Sequence, residues 1–264
     1  MQLSIVIPLY NEEGILWDMI GRISEGCDQI IGEGRWQYVL VNNGSTDSTQ
    51  EVIDKISQIW SNTRSLFVEN PNYGKALRAG IEASQSDYIH VINIEQWDMM
   101  FLAWCWNNRE KYDLMLGSKR ADPTTNHQSK YRRLLSWGLN SLLDLFFEYP
   151  GADTHGPKTL NRRTMEGVLT ACVMDRGQYD TELTIRALRD GLTLAECPSE
   201  YIEYRKPRNL MIKKICWNII AIIKMWLILR KIKYKSYVRL YRFTRYELID
   251  CSKKYSLHMQ KNVF

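Results

Sequence analysis

The 264-residue sequence predicts an α/β fold: a mostly parallel sheet flanked by helices, followed by a basic helical segment. Two observations carry this expectation. Short apolar, β-branched runs alternate with helical stretches through the first 120 residues, joined by short connections. Such alternation favours parallel strands with helices on both faces. The charge is also unevenly placed. Between Arg205 and Arg245 there are 13 Lys or Arg and no Asp or Glu, which leaves 22 basic against 30 acidic residues, a net of −8, in the rest of the chain.

Leu3 to Ile7 reads as a buried strand ending at Pro8. Asn11 can cap the helix after it, and Glu12 and Glu13 suit a first helical turn. Tyr38 to Val41 is a second strand, closed by the polar turn Asn42 to Asp47, with a helix to about Trp60. Asp47 reads as the cap of that helix. Ser65 to Val68 is a third strand, and Asn72-Tyr73-Gly74 opens a helix with Ala76, Leu77, Gly80 and Ile81 on one side. Tyr88 to Ile92 and Leu114 to Leu116 complete the predicted parallel set. Beyond Arg120 the spacing predicts a long helix over 128–147, a turn-rich or short-strand stretch over 153–161, and a helix over 179–189 stopped by Gly191. Short strands come next around Pro198, and then a helix over 208–233.

Composition excludes several classes. A content of 45% hydrophobic and 25% charged residues is that of a folded globular chain. The six cysteines form no CxxC pair and no metal spacing, which favours a reducing compartment. The first residues lack the basic start and cleavage site of a signal peptide. The longest apolar stretch, Ile215 to Leu229, is interrupted by Lys224 and falls short of the roughly 20 residues a spanning helix needs.

In parallel α/β sheets ligands bind at the carboxyl ends of the strands. Polar residues gather there after three strands: Tyr10 to Glu12, Asn42 to Asp47, and Asn93 to Glu95. The turn after the first strand is Pro-Leu-Tyr-Asn-Glu-Glu, without the glycines of a dinucleotide fingerprint. A phosphate-binding P-loop and a Gly-x-Ser-x-Gly elbow are also absent, and His90, His127, His155 and His258 show no ligand spacing.

The runs IVIPLYNEE, VLVNNGSTDST, NPNYGKALRAG and YIHVINIEQ, in that order, resemble the successive motifs of family 2 glycosyltransferases with the GT-A fold. LMLGSKR, ADTHGPKTLNRR and YDTELTIRALRDGLTLAECPSEYIEYR resemble the second half of the dolichyl-phosphate mannose synthase-like branch. The resemblance covers residues 1–206, expected to form the catalytic domain, with 207–264 as a basic amphipathic tail. It implies transfer of a sugar, with inversion, from a nucleotide-diphosphate sugar to a lipid-linked acceptor, polyprenyl phosphate first, in cell-surface polysaccharide synthesis. Pro8, Tyr10 and Glu12 match the loop that holds the nucleotide, Asn43 the residue that reads the base edge, and Gly74 and Lys75 the glycine-containing helix start beside the donor. Arg120, Arg132 and Arg205 match basic positions near phosphate or acceptor. Asp180 and Glu182 lie where relatives place acidic residues facing the acceptor, with Asp180 the first candidate for a general base. Asp153 matches an Asp of the acceptor side.

The sequence departs from the family where carboxylates matter. Asn42 and Asn43 replace two aspartates, and Asn93-Ile94-Glu95 replaces Asp-x-Asp, whose last carboxylate binds a divalent cation. Mg²⁺ or Mn²⁺ bound through Glu95 is one outcome; help from Asp98, replacement of the metal by basic residues, and loss of catalysis are the others. The last leaves a non-catalytic homologue, binding a nucleotide sugar or a partner glycosyltransferase, as the alternative reading. The basic segment, with Leu210, Ile215, Trp217, Ile220, Trp226 and Leu227 among its lysines and arginines, has the pattern of an interfacial helix on anionic lipid. This pattern implies a peripheral location at the cytoplasmic membrane face. Aromatic-basic interleaving comes without any nucleic-acid motif, so no nucleic-acid partner is expected.

Overall fold

The computed structural model describes residues 1–122, 130–151, 153–200, 211–230 and 239–255. Eight strands form one sheet in the order β3-β2-β1-β4-β6-β5-β7-β8. The strands are β1 (Leu3–Leu9), β2 (Trp36–Asn42), β3 (Thr63–Phe67), β4 (Tyr88–Val91), β5 (Leu114–Ser118), β6 (Lys158–Asn161), β7 (Thr193–Pro198) and β8 (Arg239–Arg242). All neighbours are parallel except β6, which runs antiparallel between β4 and β5. The predicted α/β class and its mostly parallel sheet are therefore present. The inversion of β6 has a consequence for the site: the loop before Lys158 lies at the edge where the parallel strands end.

Period-two alternation along β1 explains the layering. Leu3, Ile5, Ile7 and Leu9 face one core, with Ile20, Ile23 and Cys27 of α1 (Leu16–Ile31) and Ile53 and Ile56 of α2 (Thr49–Ile59). Val6 faces the other, with Val39, Val41, and Ala76 and Leu77 of α3 (Tyr73–Ala83). Gly80 makes the second contact close. A Cβ there would lie 2.5 Å from Val6 Cγ1, so the helix can approach the sheet only without a side chain.

Four further helices belong to the described residues before 201. They are α4 (Met99–Asn108), α5 (Lys130–Phe147), α6 (Arg162–Ala171) and α7 (Gln178–Arg189). Gly191 adopts φ +78 just after the α7 cap Asp190, as expected for a glycine that stops a helix.

The segment after residue 206 is part of this body. In α8 (Met211–Leu229) the side chains of Ile222, Met225 and Leu229 are buried in the second core. β8 pairs in parallel with β7, and in α9 (Arg245–Ser252) Leu248 is buried in a third cluster with Phe101 and Cys105 of α4. The expected division between a domain over 1–206 and a separate tail is thus not a structural boundary. The strand of this segment, Arg-Leu-Tyr-Arg in β8, begins and ends on arginine, a composition that also reads as a charged tail. The other side of α8 stays exposed, with Trp217, Ile219, Ile220, Ile223 and Leu227 at 41–63% relative exposure. No helix of the described residues is long and apolar enough to cross a membrane.

The cysteines Cys27, Cys105, Cys172 and Cys197 are buried and free, and burial pushes each thiol above its ordinary range.

His90 of β4 is fully enclosed and its Nδ1 lies 2.6 Å from Thr159 Oγ1 of β6. Burial, with help from Lys158, lowers its pKa to about 3. The unfolded chain therefore binds a proton below about pH 6.5 that the folded chain refuses until about pH 3. We expect His90→Gln to flatten the fall in melting temperature between pH 7 and pH 4. An unchanged pH slope in calorimetry contradicts this.

Candidate active site

Two loops are stitched together where β1 and β2 end. Asn11, with φ +56, accepts at Oδ1 from the Thr46 N–H (2.8 Å), and its own N–H donates to Ser45 Oγ (3.0 Å). The Glu12 N–H donates to Thr49 Oγ1 (2.8 Å), and Glu13 Oε2 accepts from the Ser48 N–H (2.8 Å). Asn11 is thus a clasp between loops rather than the cap of α1, which starts at Leu16 with no side-chain cap. Asp47 does the expected capping job from one residue further out. It accepts from the Thr49 N–H (3.1 Å) and from Thr49 Oγ1 (2.5 Å) ahead of the cap residue Ser48. Burial raises its pKa, but these bonds and those from backbone N–H groups together outweigh it and hold it below the usual value. On this clasp Pro8 pairs with Val41 across the strands, Tyr10 is 38% exposed, and Glu12 is half-buried.

Asn42 and Asn43 separate in role. Asn42 is buried, donating to Gln50 Oε1 (2.8 Å) and accepting from the Ser45 N–H (3.0 Å). Asn43 Oδ1 accepts from the Asn72 N–H (2.7 Å). Asn72 then caps α3, accepting from the N–H of Lys75 (3.2 Å) and also of Arg176 (2.9 Å), which sits at φ +55. Gly74 is needed for this junction: a Cβ there would lie 2.5 Å from Arg176 N. The close approach expected at Gly74 is therefore made by the 175–176 backbone. Lys75 is exposed.

After β4 the chain turns through Asn93 to Gln96. Asn93 Nδ2 donates to Gln96 Oε1 (3.3 Å), and Asn93 O accepts from the Gln96 N–H (2.8 Å). Glu95 is half-buried on this turn. Asp98 is not a second metal ligand. It caps α4, with Oδ1 accepting from Met100 N–H (2.9 Å) and Phe101 N–H (3.1 Å) and Oδ2 from Glu200 N–H (3.0 Å). No group of three His, Cys, Asp or Glu among the described residues is placed to hold a metal. Glu95 is the carboxylate that this turn carries, and an oxygen ligand of this kind is what Mg²⁺ or Mn²⁺ takes.

The loop before β6 faces this turn. Asp153 is buried, with Oδ2 3.4 Å from Lys119 Nζ and Oδ1 accepting from the His155 N–H (3.0 Å). Burial raises the Asp153 carboxyl, but Lys119 and His155 outweigh it and hold it below the usual range. His155 is half-buried, with Nδ1 3.0 Å from Thr154 Oγ1. Burial lowers its imidazole below the ordinary value against the pull of Asp180 and Asp153, while Lys119 and Lys158 add to the lowering. Gln96, Lys119, His155 and Glu200 line one small pocket.

Two proposed bases are placed otherwise. Asp180 is fully buried, with Oδ1 accepting from Lys158 Nζ (2.9 Å), itself fully buried and also donating to Gly156 O (3.0 Å). Glu182 is fully buried too. Its Oε2 accepts from the N–H groups of Val173 (2.8 Å) and Met174 (2.6 Å), and its Oε1 from Arg186 Nε (2.8 Å). With both oxygens so engaged, Glu182 is a structural carboxylate and not an acceptor-facing base. Arg120 lies on the next cavity and donates to Ser136 O (2.7 Å). The Arg132 side chain and all of Arg205 lie outside the described residues.

The family model for glycosyl transferase family 2 matches residues 4–94, the stretch that supplies the β1, β2 and β4 loops. Over these residues the chain is similar to glycosyltransferase family 2. An undecaprenyl-phosphate 4-deoxy-4-formamido-L-arabinose transferase of Proteus mirabilis is 29% identical over 96 residues, 36% of this chain and 29% of that protein. Glycosyltransferase AglD of Haloferax volcanii is 22% identical over 231 residues, 86% of this chain and 37% of AglD. The matches thus span well under half the length of these relatives. A crystal structure of glucosyl-3-phosphoglycerate synthase from Mycobacterium tuberculosis, in complex with Mn²⁺, UDP-glucose and phosphoglyceric acid, superposes with a TM-score of 0.60. It shares 19% identity, covering 85% of this chain and 79% of that one, and places the fold as GT-A.

Within this GT-A fold, sequence reasoning missed His155 and Lys158. Their signal was the stretch Asp-Thr-His-Gly-Pro-Lys, which puts an imidazole and an ammonium close after Asp153 on a strand entry. Breaking a buried ion pair on one side costs about 3–5 kcal/mol, whereas replacing both partners by apolar residues is near neutral. Lys158→Met alone should therefore destabilise the protein by that amount, and Lys158→Met with Asp180→Leu should recover most of it in urea denaturation. A double variant as unstable as the single one contradicts the pairing.

Proposed function

We propose that this chain transfers a sugar, with inversion, from a nucleotide-diphosphate sugar to a lipid-linked acceptor at the cytoplasmic face of a membrane, in cell-surface polysaccharide synthesis. The observation that carries this reading is the meeting of the β1, β2 and β4 loops at one sheet edge within the stretch matched by the family. In this reading Tyr10 packs on the base and Glu12 accepts from donor hydroxyls. Asn43 Oδ1 is engaged by Asn72, so Nδ2 is the group left to meet the base edge, and a donor amide there selects an acceptor atom. Glu95, with the Asn93 side-chain carbonyl, would hold a divalent cation, which would supply positive charge to the departing diphosphate. Lys119 and His155 add donors on the opposite side of the same turn.

The bond that forms joins the acceptor oxygen to the anomeric carbon. The bond that breaks joins that carbon to the diphosphate oxygen, which keeps the electron pair. With polyprenyl phosphate as acceptor the attacking oxygen is already anionic. With a hydroxyl, its proton goes to a base, and Asp153 or His155 is the candidate, on the loop whose His155 lines a pocket with Gln96, since Asp180 is paired with Lys158.

Turnover with a panel of UDP-, GDP-, CDP- and dTDP-sugars and polyprenyl phosphates, with and without Mn²⁺, tests the reading. Glu95→Ala should lower metal-dependent turnover on the order of 100-fold. Neither turnover nor donor hydrolysis across the panel contradicts it and favours a non-catalytic binder.

Membrane attachment rests on the exposed side of α8, where Trp217, Ile220 and Leu227 stand beside Lys224 and Arg230. Truncation does not test it, because α8 and β8 belong to the core and the sheet. Ile220→Ser, Ile223→Ser and Leu227→Ser together should reduce sedimentation with phosphatidylserine vesicles at least about tenfold while leaving the melting temperature near the wild type. Unchanged vesicle binding refutes the attachment.

A further inference from the structure

Lys119 and Arg120, adjacent in sequence, serve different spaces. Lys119 faces the small donor-side pocket, whereas Arg120 lines a cavity of about 450 Å³ between α5 and β8. The two spaces share a wall. Glu196 of β7, buried beneath the cavity, accepts at Oε1 from the Asp153 N–H (3.0 Å), and its Oε2 lies 3.7 Å from Arg242 Nε of β8. Asp153 in turn carries Lys119 and His155 on the donor side.

The remaining lining sets the ligand chemistry. Trp137 of α5 is 60% exposed, and Asn140 and Asp144, one and two turns on, line the same cavity. Two guanidiniums, Arg120 and Arg242, are balanced by two carboxylates, Asp144 and Glu196. Among the described lining residues a phosphate thus meets no excess positive charge. An apolar chain would strip water from the exposed Asp144 carboxylate without replacing its hydrogen bonds. A sugar ring satisfies both demands. Its C–H face packs on an indole, and its hydroxyls donate to carboxylates and accept from guanidinium N–H groups. The volume lies within the range of small-ligand sites, roughly 300–1,000 Å³.

We propose that this cavity is an acceptor subsite for a neutral saccharide ring. It rests on the glycosyl-transfer reading above and narrows the acceptor from a bare lipid phosphate to a lipid-linked saccharide.

The test uses the full chain labelled with 5-fluorotryptophan, with the Trp137 resonance assigned through Trp137→Phe. Methyl β-glucoside, methyl α-mannoside and N-acetylglucosamine are titrated in turn, then inorganic phosphate, farnesyl phosphate and phosphatidylserine vesicles. At least one saccharide should shift the Trp137 resonance, and Asp144→Asn, on an exposed helix face, should weaken that binding about tenfold without changing the melting temperature. No saccharide shift overturns the proposal. So does a Trp137 shift produced only by phosphate, by farnesyl phosphate or by vesicles. Thermal shift with the nucleotide-sugar panel on the same sample keeps the two readings apart. Donor binding without a saccharide shift refutes the subsite alone, and absence of donor binding refutes the transfer reading beneath it.

Discussion

The buried Lys158–Asp180 pair is the interaction on which the arrangement of this site depends. β6 enters the sheet against the direction of its neighbours, and Lys158 is its first residue. Its ammonium reaches Asp180 on α7 at 2.9 Å and Gly156 O at 3.0 Å, with almost no exposure on either partner. Taking two charges out of water is costly, and only close geometry with further hydrogen bonds offsets the penalty. The pair therefore fixes how α7 meets β6 and where the 153–157 loop must run. That loop is tightly constrained: a Cβ on Gly156 would fall onto the Gly117 carbonyl at the end of β5. The Asp153–Lys119 contact and the His155 imidazole are positioned as a result.

The electrostatics of the edge depend on where each carboxylate is placed. Asp98 is spent on the α4 cap and on Glu200, Glu182 on the 173–174 backbone, and Asp180 on Lys158. Glu95 and Asp153 stand near the donor turn, one half-buried on that turn and the other bound by a lysine. A site with so few carboxylates beside the turn relies on cations and hydrogen-bond donors to receive a diphosphate. Lys119 and His155 occupy that place.

Much of the fold was legible because it is local. β1, β2, β4 and β5 are β-branched or apolar runs between polar turns, and their observed ends fall within two residues of expectation. Other elements were not legible, for physical reasons. The residues of α4, Met99–Asn108, are apolar on nearly every side, since the helix is covered by both α1 and α9, and so they carry no helical period. The antiparallel insertion of β6 is set by partners far away in sequence. β8, Arg-Leu-Tyr-Arg, was hidden because an arginine at each end makes it read as part of the basic segment. At the site, the loops were legible as places, but roles were not. Asn11, Asp98, Asp180 and Glu182 are polar residues at strand ends or a helix start, and only the tertiary contacts show that they hold backbone or a buried lysine.

The central claim is that the loops after β1, β2 and β4 form a nucleotide site. Melting of the purified chain with millimolar nucleotide diphosphates and Mn²⁺ tests it most directly. A nucleotide at 100 times its Kd adds about 2.7 kcal/mol, and a shift of roughly 5–10 °C is expected for one base over the others. The same melting temperature with every nucleotide, with and without Mn²⁺, would contradict the account.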